Sequence, residues 1–488
     1  MKLKFHTLPP YVTITLIVFS ALVLTYGFIF IANIIDFDTD AYAHYIIAKE
    51  LVINPFNFGI NWVWLPLYHY LLAFAIKLHL SFENIRVFNL LIWVVLNIVL
   101  FYYLRSQAQN KLSYIPLISF IFSISFPIGM VYATSAQYET FFVLLLILFI
   151  VFAERQKYFL SSVFLSMAVL TRYEAWFVLI ISAVYFLIKY VRSRQVIYLK
   201  QVVSITFLPS VVILGWAFLR LPYDGRFFGF IFETKEFVSG ALGKLHPSVS
   251  DTIKWYDFFY YMLYIPFLMM TINLVFVFFG IKRVWKEYRF LFLTGIAVIL
   301  FISLSYVIKT NLGLFRHFIP ALIIYSVLGG AGIEEVSLFL KRKFSGTYFI
   351  PKFANYMVVI FVVIQLSVVL YWGYIWTQTY KEGFPDKEEI ADFLKTLPAS
   401  SKILTNDAVV KVLSGLPYEQ FDNYWLSGDE KTFSYLYELK KQKSEVYIIV
   451  PFEELIPYSN IGNIKKISHE NPKTHQKLTV LEIWNEKK

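Results

Sequence analysis

Residues Tyr11 to Asp40 read YVTITLIVFSALVLTYGFIFIANIIDFDTD, an uncharged apolar run that ends in three carboxylates. The stretch from Tyr11 to Ile35 is long enough for a helix to cross the hydrocarbon of a bilayer. It is followed at once by Asp36, Asp38 and Asp40, with no basic residue before Lys49. Three anions held together at a membrane boundary repel one another and lose solvation. A metal ion, a proton to be abstracted, or a cationic substrate would each offset that cost, and the spacing is compatible with all three. The pattern points to a membrane enzyme.

Composition agrees. Hydrophobic residues make up 58% of the 488 residues and charged residues only 16%, and many other apolar runs are long enough to span. Aromatic residues reach 20%, which suits interfacial belts and broad apolar or sugar-binding surfaces. The absence of cysteine excludes disulfides, thiolate catalysis and Cys-ligated zinc. The net charge of +11 reads as cytoplasmic anchoring, with no nucleic-acid partner implied. Lys2 and Lys4 precede the first apolar run without a small-residue cleavage site, so the start reads as an uncleaved first span.

Eleven spans fit the apolar runs: roughly 11–33, 84–104, 113–132, 137–153, 157–170, 173–190, 201–219, 257–280, 288–308, 317–332 and 353–377. The segment from Trp62 to Leu80 is also apolar, but it contains Pro66, His69, Lys77 and His79 and reads as an interfacial helix. With that segment outside the count, the loops on the amino-terminal side are more than twice as dense in Lys and Arg as those opposite. By the positive-inside rule the amino terminus is cytoplasmic and the acidic cluster is outside. The expected fold is an all-α polytopic membrane domain over residues 1–380, with about eleven transmembrane helices, a first outer loop at 34–83 and a second at 220–256. A small extracytoplasmic α/β domain follows over 381–488. Its helices are expected at Asp386–Leu397 and around Lys431–Lys441, and its strands at Lys402–Thr405, Val446–Pro451 and Leu478–Trp484.

On this topology the ionisable groups gather on the outer side. Asp36, Asp38, Asp40 and His44 lie in the first loop; Glu139 opens the fourth span; Arg172 and Glu174 share a short turn. Arg220, Asp224 and Arg226 begin the second loop, and Lys309, Arg316 and His317 precede the tenth span. Acids and bases from separate segments on one face describe a cavity lined for a polar ligand. Structural readings stand beside this one. Asp38 or Asp40 would serve equally to cap the helix that follows. Arg172 with Glu174 would make an ion pair tying two spans together, Glu139 an ordinary helix start, and Arg316 and His317 interfacial anchors. His44 and His69 are individually weak signals.

The stretch Phe37-Asp38-Thr39-Asp40-Ala41-Tyr42 through Ala48-Lys49-Glu50-Leu51, followed by Leu65-Pro66-Leu67-Tyr68-His69-Tyr70-Leu71-Leu72-Ala73, resembles the first outer loop of the GT-C membrane glycosyltransferases. That superfamily includes protein O-mannosyltransferases, aminoarabinose transferases and arabinofuranosyltransferases. Ser135-Ala136-Gln137-Tyr138-Glu139 with Thr171-Arg172-Tyr173-Glu174, and Arg316-His317-Phe318-Ile319-Pro320, are similar to later elements of the same group. The likeness covers most of residues 11–332.

The resemblance implies an inverting transfer of a sugar from a polyprenyl- or dolichyl-phosphate carrier to a glycan, lipid or protein acceptor at the cell membrane. Asp40 matches the general base and Asp38 its acidic neighbour. Arg172, Arg316, Arg226 and Lys309 would be donor-phosphate cations, with Glu139, Glu174, His44 and His317 as acceptor or supporting residues. Many members carry Glu-Lys before the Pro-Leu element, where this chain has Val63 and Trp64; the Trp-Trp-Asp signature of oligosaccharyltransferase catalytic subunits is absent. Asp38 and Asp40 would also hold Mg²⁺ or Mn²⁺ through oxygen, an open alternative to metal-free chemistry. The rival reading, a transporter or flippase for a lipid-linked or anionic substrate, finds no inverted repeat in the hydropathy pattern.

Overall fold

The computed structural model describes residues 8–109, 113–245, 254–343, 349–422, 424, 426–427, 429–442, 445–459, 461–472 and 474–483. Lys2 and Lys4, residues 246–253 of the expected second outer loop, and Trp484 lie outside the described residues. The chain divides into two compact units, one formed by residues up to Ala32 with Asn54–Thr377, the other by Asn33–Ile53 with Gln378 onward.

In the first unit every expected span is helical, because a backbone surrounded by lipid must satisfy its own hydrogen bonds. Among the described residues eight helices are long and apolar enough to cross a membrane, or nine if one bent pair counts as a single span. That pair, Ile115–Ile124 and Pro127–Ala133, is bent by 56°. The break falls at Pro127, which offers no amide hydrogen and pushes Phe126 out of helical geometry. The helices Glu139–Glu154 and Tyr158–Val169 are shorter, at 16 and 12 residues. The expected interfacial segment folds around an 11-residue helix, Leu67–Lys77, too short to span, and a short turn at Phe58–Asn61 precedes it.

Two differences from the sequence expectations have clear causes. Residues 220–224 continue the helix Val196–Asp224 rather than opening a loop. The buried Arg220 reaches Asp224 one turn on at 2.5 Å and donates to Phe58 O at 3.2 Å, so polar residues are drawn into the helix end. Gly225, at φ +67°, then ends the helix, and Gly229–Leu245 is helical again. The eighth span is composite. A π turn over Tyr260–Tyr264, a short helix Ile265–Met270 and a tight turn at Thr271–Asn273 precede the helix Leu274–Glu287. That helix crosses Ile319–Lys343 at backbone contact distance. A Cβ on Gly332 would lie 1.8 Å from Phe276 O, and one on Gly280 would lie 2.0 Å from Leu328 O.

The second unit contains a five-stranded sheet in the order β2-β1-β3-β5-β4, formed by Lys402–Thr405 (β1), Phe421–Asp422 (β2), Val446–Pro451 (β3), Gly462–Ile467 (β4) and Leu478–Ile483 (β5). β2, β1 and β3 are parallel, and β5 runs antiparallel to both β3 and β4. Alternation along β3 splits the core in two. Tyr447 and Ile449 pack with Ile390, Leu394 and Val410 on one face, while Ile448 and Val450 pack with Leu436 and Leu439 on the other. β2, β4 and the helix Ala408–Leu413 were not foreseen. β2 has two residues, and β4, with Lys465 and Lys466, lacks apolar alternation because it is a solvated edge.

Candidate active site

In the membrane unit the site is built on a braced turn. Arg86 Nε donates to Thr134 O at 2.7 Å. Asn89 Nδ2 donates to Ser135 O at 2.8 Å and to Gln137 O at 2.7 Å. This fixes where the helix Glu139–Glu154 begins and places Glu139 in its first turn, fully buried. From the turn between Tyr158–Val169 and Glu174–Ser193, Arg172 reaches the same place. Its Nη1 donates to Glu139 Oε1 at 2.9 Å, and its Nε and Nη2 donate to Glu174 Oε1 at 3.0 and 2.5 Å. Its guanidinium also lies over the Tyr138 ring at 5.1 Å and the Phe142 ring at 5.7 Å. Burial opposes the charge on Arg172, but Glu174, Tyr138 and Glu139 outweigh it and raise its pKa.

Arg316 approaches the same carboxylate oxygen, with Nε 3.8 Å from Glu139 Oε1. Two buried guanidinium groups and two buried carboxylates thus form one group with balanced charge, the arrangement that makes burial of charge tolerable. His317, next to Arg316, is oriented by Asn311, whose Oδ1 is 2.6 Å from His317 Nδ1. The same oxygen accepts from Gly313 N at 2.9 Å and from Tyr261 OH at 3.2 Å. Because Oδ1 can only accept, Nδ1 carries the proton in this arrangement and Nε2 is left as the basic nitrogen. Asn311 and Tyr261 were not singled out from the sequence. The Asn-Leu-Gly turn at 311–313, five residues before Arg316, is the signal that would have found Asn311.

One turn below Glu139 a narrow apolar cleft begins. It is lined by Val143, Ile147 and Ile150 of that helix, by Gly295, and by Pro320 and Ile324 of the helix that follows Arg316. The polar cluster therefore stands one turn from a small apolar cleft. Arg226 and Lys309 are placed differently. Arg226 is half-exposed, over the Phe232 ring at 4.2 Å and 3.8 Å from Glu236. Lys309, at φ +58°, closes the turn after Arg289–Val307.

Asp36, Asp38, Asp40 and His44 belong to the second unit. Asp36 is buried, and its Oδ1 accepts from Asp38 N at 3.2 Å. Asp38 Oδ1 accepts from Asp40 N at 3.0 Å, so Asp38 caps the helix Thr39–Ile53 as one of the sequence readings allows. Asp40 lies in the first turn, where the helix dipole favours an anion, and His44 is buried one turn further on. Among the described residues no three His, Asp or Glu side chains converge as metal ligands, and the best-placed oxygens of Asp36 and Asp38 are engaged by backbone amides. The described residues do not compose a metal site on their own.

By sequence, no family model and no curated protein matches the chain. By fold the chain is similar to solved structures of ArnT and of an archaeal oligosaccharyltransferase. Two solved structures carry the comparison. ArnT from Cupriavidus metallidurans bound to undecaprenyl phosphate aligns over 95% of this chain and 97% of its own, at TM-score 0.60 and 12% identity. The Archaeoglobus fulgidus oligosaccharyltransferase in the apo form aligns over 93% of this chain and 73% of its own, at TM-score 0.53 and 9% identity.

Proposed function

We propose that the chain is a glycosyltransferase that takes a sugar from a polyprenyl-phosphate donor and passes it, with inversion, to a hydroxyl acceptor on the outer face of the membrane. The observation that carries this reading is the polar cluster Glu139–Arg172–Arg316 one turn from a small apolar cleft. An isoprenoid phosphate has the same construction, an anion on a long apolar tail. The likeness to ArnT, whose structure is bound to undecaprenyl phosphate, supports the same class of donor.

The chemistry follows from the residues. A phosphate ester is a leaving group of low basicity, so the reaction needs cationic stabilisation of the departing phosphate more than acid assistance. Arginine supplies this through its planar fork. Arg316 is assigned that task, since Arg172 already spends three donors on Glu174 and Glu139 and acts to orient the cluster. Attack by the acceptor hydroxyl needs a carboxylate to take its proton, and Asp40 is assigned as this base. Asp38 holds the start of the Asp40 helix.

The test is a transfer assay on purified protein in lipid nanodiscs. It uses radiolabelled hexoses and pentoses on undecaprenyl phosphate and on dolichyl phosphate, with a membrane extract as acceptor. Label is expected to move with wild type and to fall about 10²–10⁴-fold with Asp40→Asn. Undiminished transfer by Asp40→Asn at matched protein would remove Asp40 from the role of base. Failure of every donor both to bind and to transfer would sink the proposed activity.

A further inference from the structure

The helix that bears Asp40 is only 15 residues long, and a helix of that length is marginal in water without tertiary support. Its support within its own unit comes from the α/β domain and from the helix end that leads into it. Phe37 stacks on Tyr380 with ring centroids 4.3 Å apart, and Tyr42 meets the edge of Phe384 at 6.2 Å. Tyr42 OH donates to Asp36 O at 2.9 Å, which ties that aromatic contact to the acidic turn itself. Phe384 is presented by Gly383, at φ +60°, where an added Cβ would meet Ile35 Cδ1 at 2.8 Å. Further along, the helix packs on Ala408–Leu413. Asp407 caps Ala408–Leu413 through Val409 N and Val410 N at 2.9 and 3.1 Å, and is itself held by Lys387 Nζ at 2.8 Å.

We propose that the α/β domain is the positioning element for Asp40, with Phe384 as its positioning residue against Tyr42, so that turnover depends on contacts far along the sequence from the acidic motif. The inference rests on Asp40 as base. A carboxylate that must meet a hydroxyl at hydrogen-bond distance loses about 10²-fold in rate for a displacement near 1 Å. Mobility of the acidic turn would therefore lower kcat while leaving affinity for the donor, a task of the membrane unit, largely in place.

The experiment compares full-length wild type, Phe384→Ala, Phe384→Tyr, Tyr42→Leu and Asp40→Asn in nanodiscs by hydrogen exchange and by the transfer assay above. Phe384→Ala and Tyr42→Leu are expected to lose amide protection over residues 39–53 while the helices Phe82–Gln107 and Ile319–Lys343 keep theirs. kcat should fall on the order of 10–10²-fold with donor KM within about twofold. Phe384→Tyr, which keeps the ring, should restore both. Wild-type protection of residues 39–53 and wild-type kcat in both Phe384→Ala and Tyr42→Leu would overturn the proposal, and so would a loss carried by KM alone. If one variant loses protection throughout the chain, the other decides from the opposite side of the same contact. Full activity in Asp40→Asn would instead defeat the reading of Asp40 as base, and the exchange data would still report whether the domain holds the helix.

Discussion

Arg172 and Arg316 meet at one carboxylate, yet their surroundings ask different things of them. Arg172 is clamped between Glu139 and Glu174 and lies over two rings, so its loss leaves two buried carboxylates without their main cation. Arg172→Lys keeps the charge but not the fork or the ring contact. It is expected to cost about 3 kcal/mol of stability, read as a lowered melting temperature in detergent, with activity falling alongside. Arg316, at 3.8 Å from Glu139, is assigned to the donor. Arg316→Ala is expected to lower kcat/KM about 10²–10³-fold with a smaller drop in melting temperature than Arg172→Lys, because its contact with Glu139 is longer. A large stability loss in Arg316→Ala would move that residue to the structural side. In the second unit, burial pulls the Lys411 amine down to about 8, although Asp422, Asp407 and Glu50 oppose the shift. The folded state gives up this proton before the unfolded state, whose value is 10.5. This group therefore makes stability rise as pH climbs from about 8 to 10.5, and destabilises below that window. Thermal melts across that window should show a rise in wild type that is smaller in Lys411→Met; an identical slope would mean that Lys411 is not the titrating group.

The helices were readable because a membrane permits few alternatives: a long apolar run must close its own hydrogen bonds, and each of the eleven runs is helical. What escaped the sequence depends on partners distant in the chain. Asp224 reads as loop until Arg220 is known to be buried against Phe58 O. β4 reads as a charged loop until β5 pairs with it. The carboxylates and arginines of the candidate site were visible as residue types on one expected face. That Glu139 is shared by Arg172 and Arg316, and that Asn311 orients His317, required coordinates. Close helix packing is of the same kind. Gly329-Gly330-Ala331-Gly332 is only a run of small residues until Gly332 is seen against the backbone of Phe276. Gly332→Val should force the helices Leu274–Glu287 and Ile319–Lys343 apart and cost about 1–3 kcal/mol or more, seen as reduced folded yield and earlier melting. Gly215→Ala, where nothing lies within 4 Å, is the matched control. It should be neutral or stabilise by up to about 1 kcal/mol, since alanine is the better helix former. Equal tolerance of both substitutions would show that the crossing is not close-packed in the membrane.

At the scale of the whole molecule, the assignment of donor and acceptor chemistry to the outer face depends on orientation, and orientation was argued from loop charge alone. The asymmetry is substantial, because the segments at 154–157, 189–200 and 281–289 are all basic while those at 132–138 and 171–174 hold a single arginine. The complete absence of native cysteine makes the question directly measurable, since any single introduced thiol is the only labelling site on the chain. Arg155 and Arg194 are exposed at ends expected to be cytoplasmic, and Arg226 and Glu430 are exposed at positions expected outside. Cysteine at Arg226 or Glu430 should react with a membrane-impermeant maleimide on intact cells, whereas cysteine at Arg155 or Arg194 should react only after permeabilisation. The reverse pattern would place Asp40 and the α/β domain in the cytoplasm, where a soluble nucleotide-sugar could serve as donor, and would remove the main reason for preferring a lipid-linked one. Labelling of Arg226→Cys but not Glu430→Cys on intact cells would instead mean that the chain crosses the membrane an odd number of times between them. The helices from Trp255–Glu287 onward would then need to be counted again.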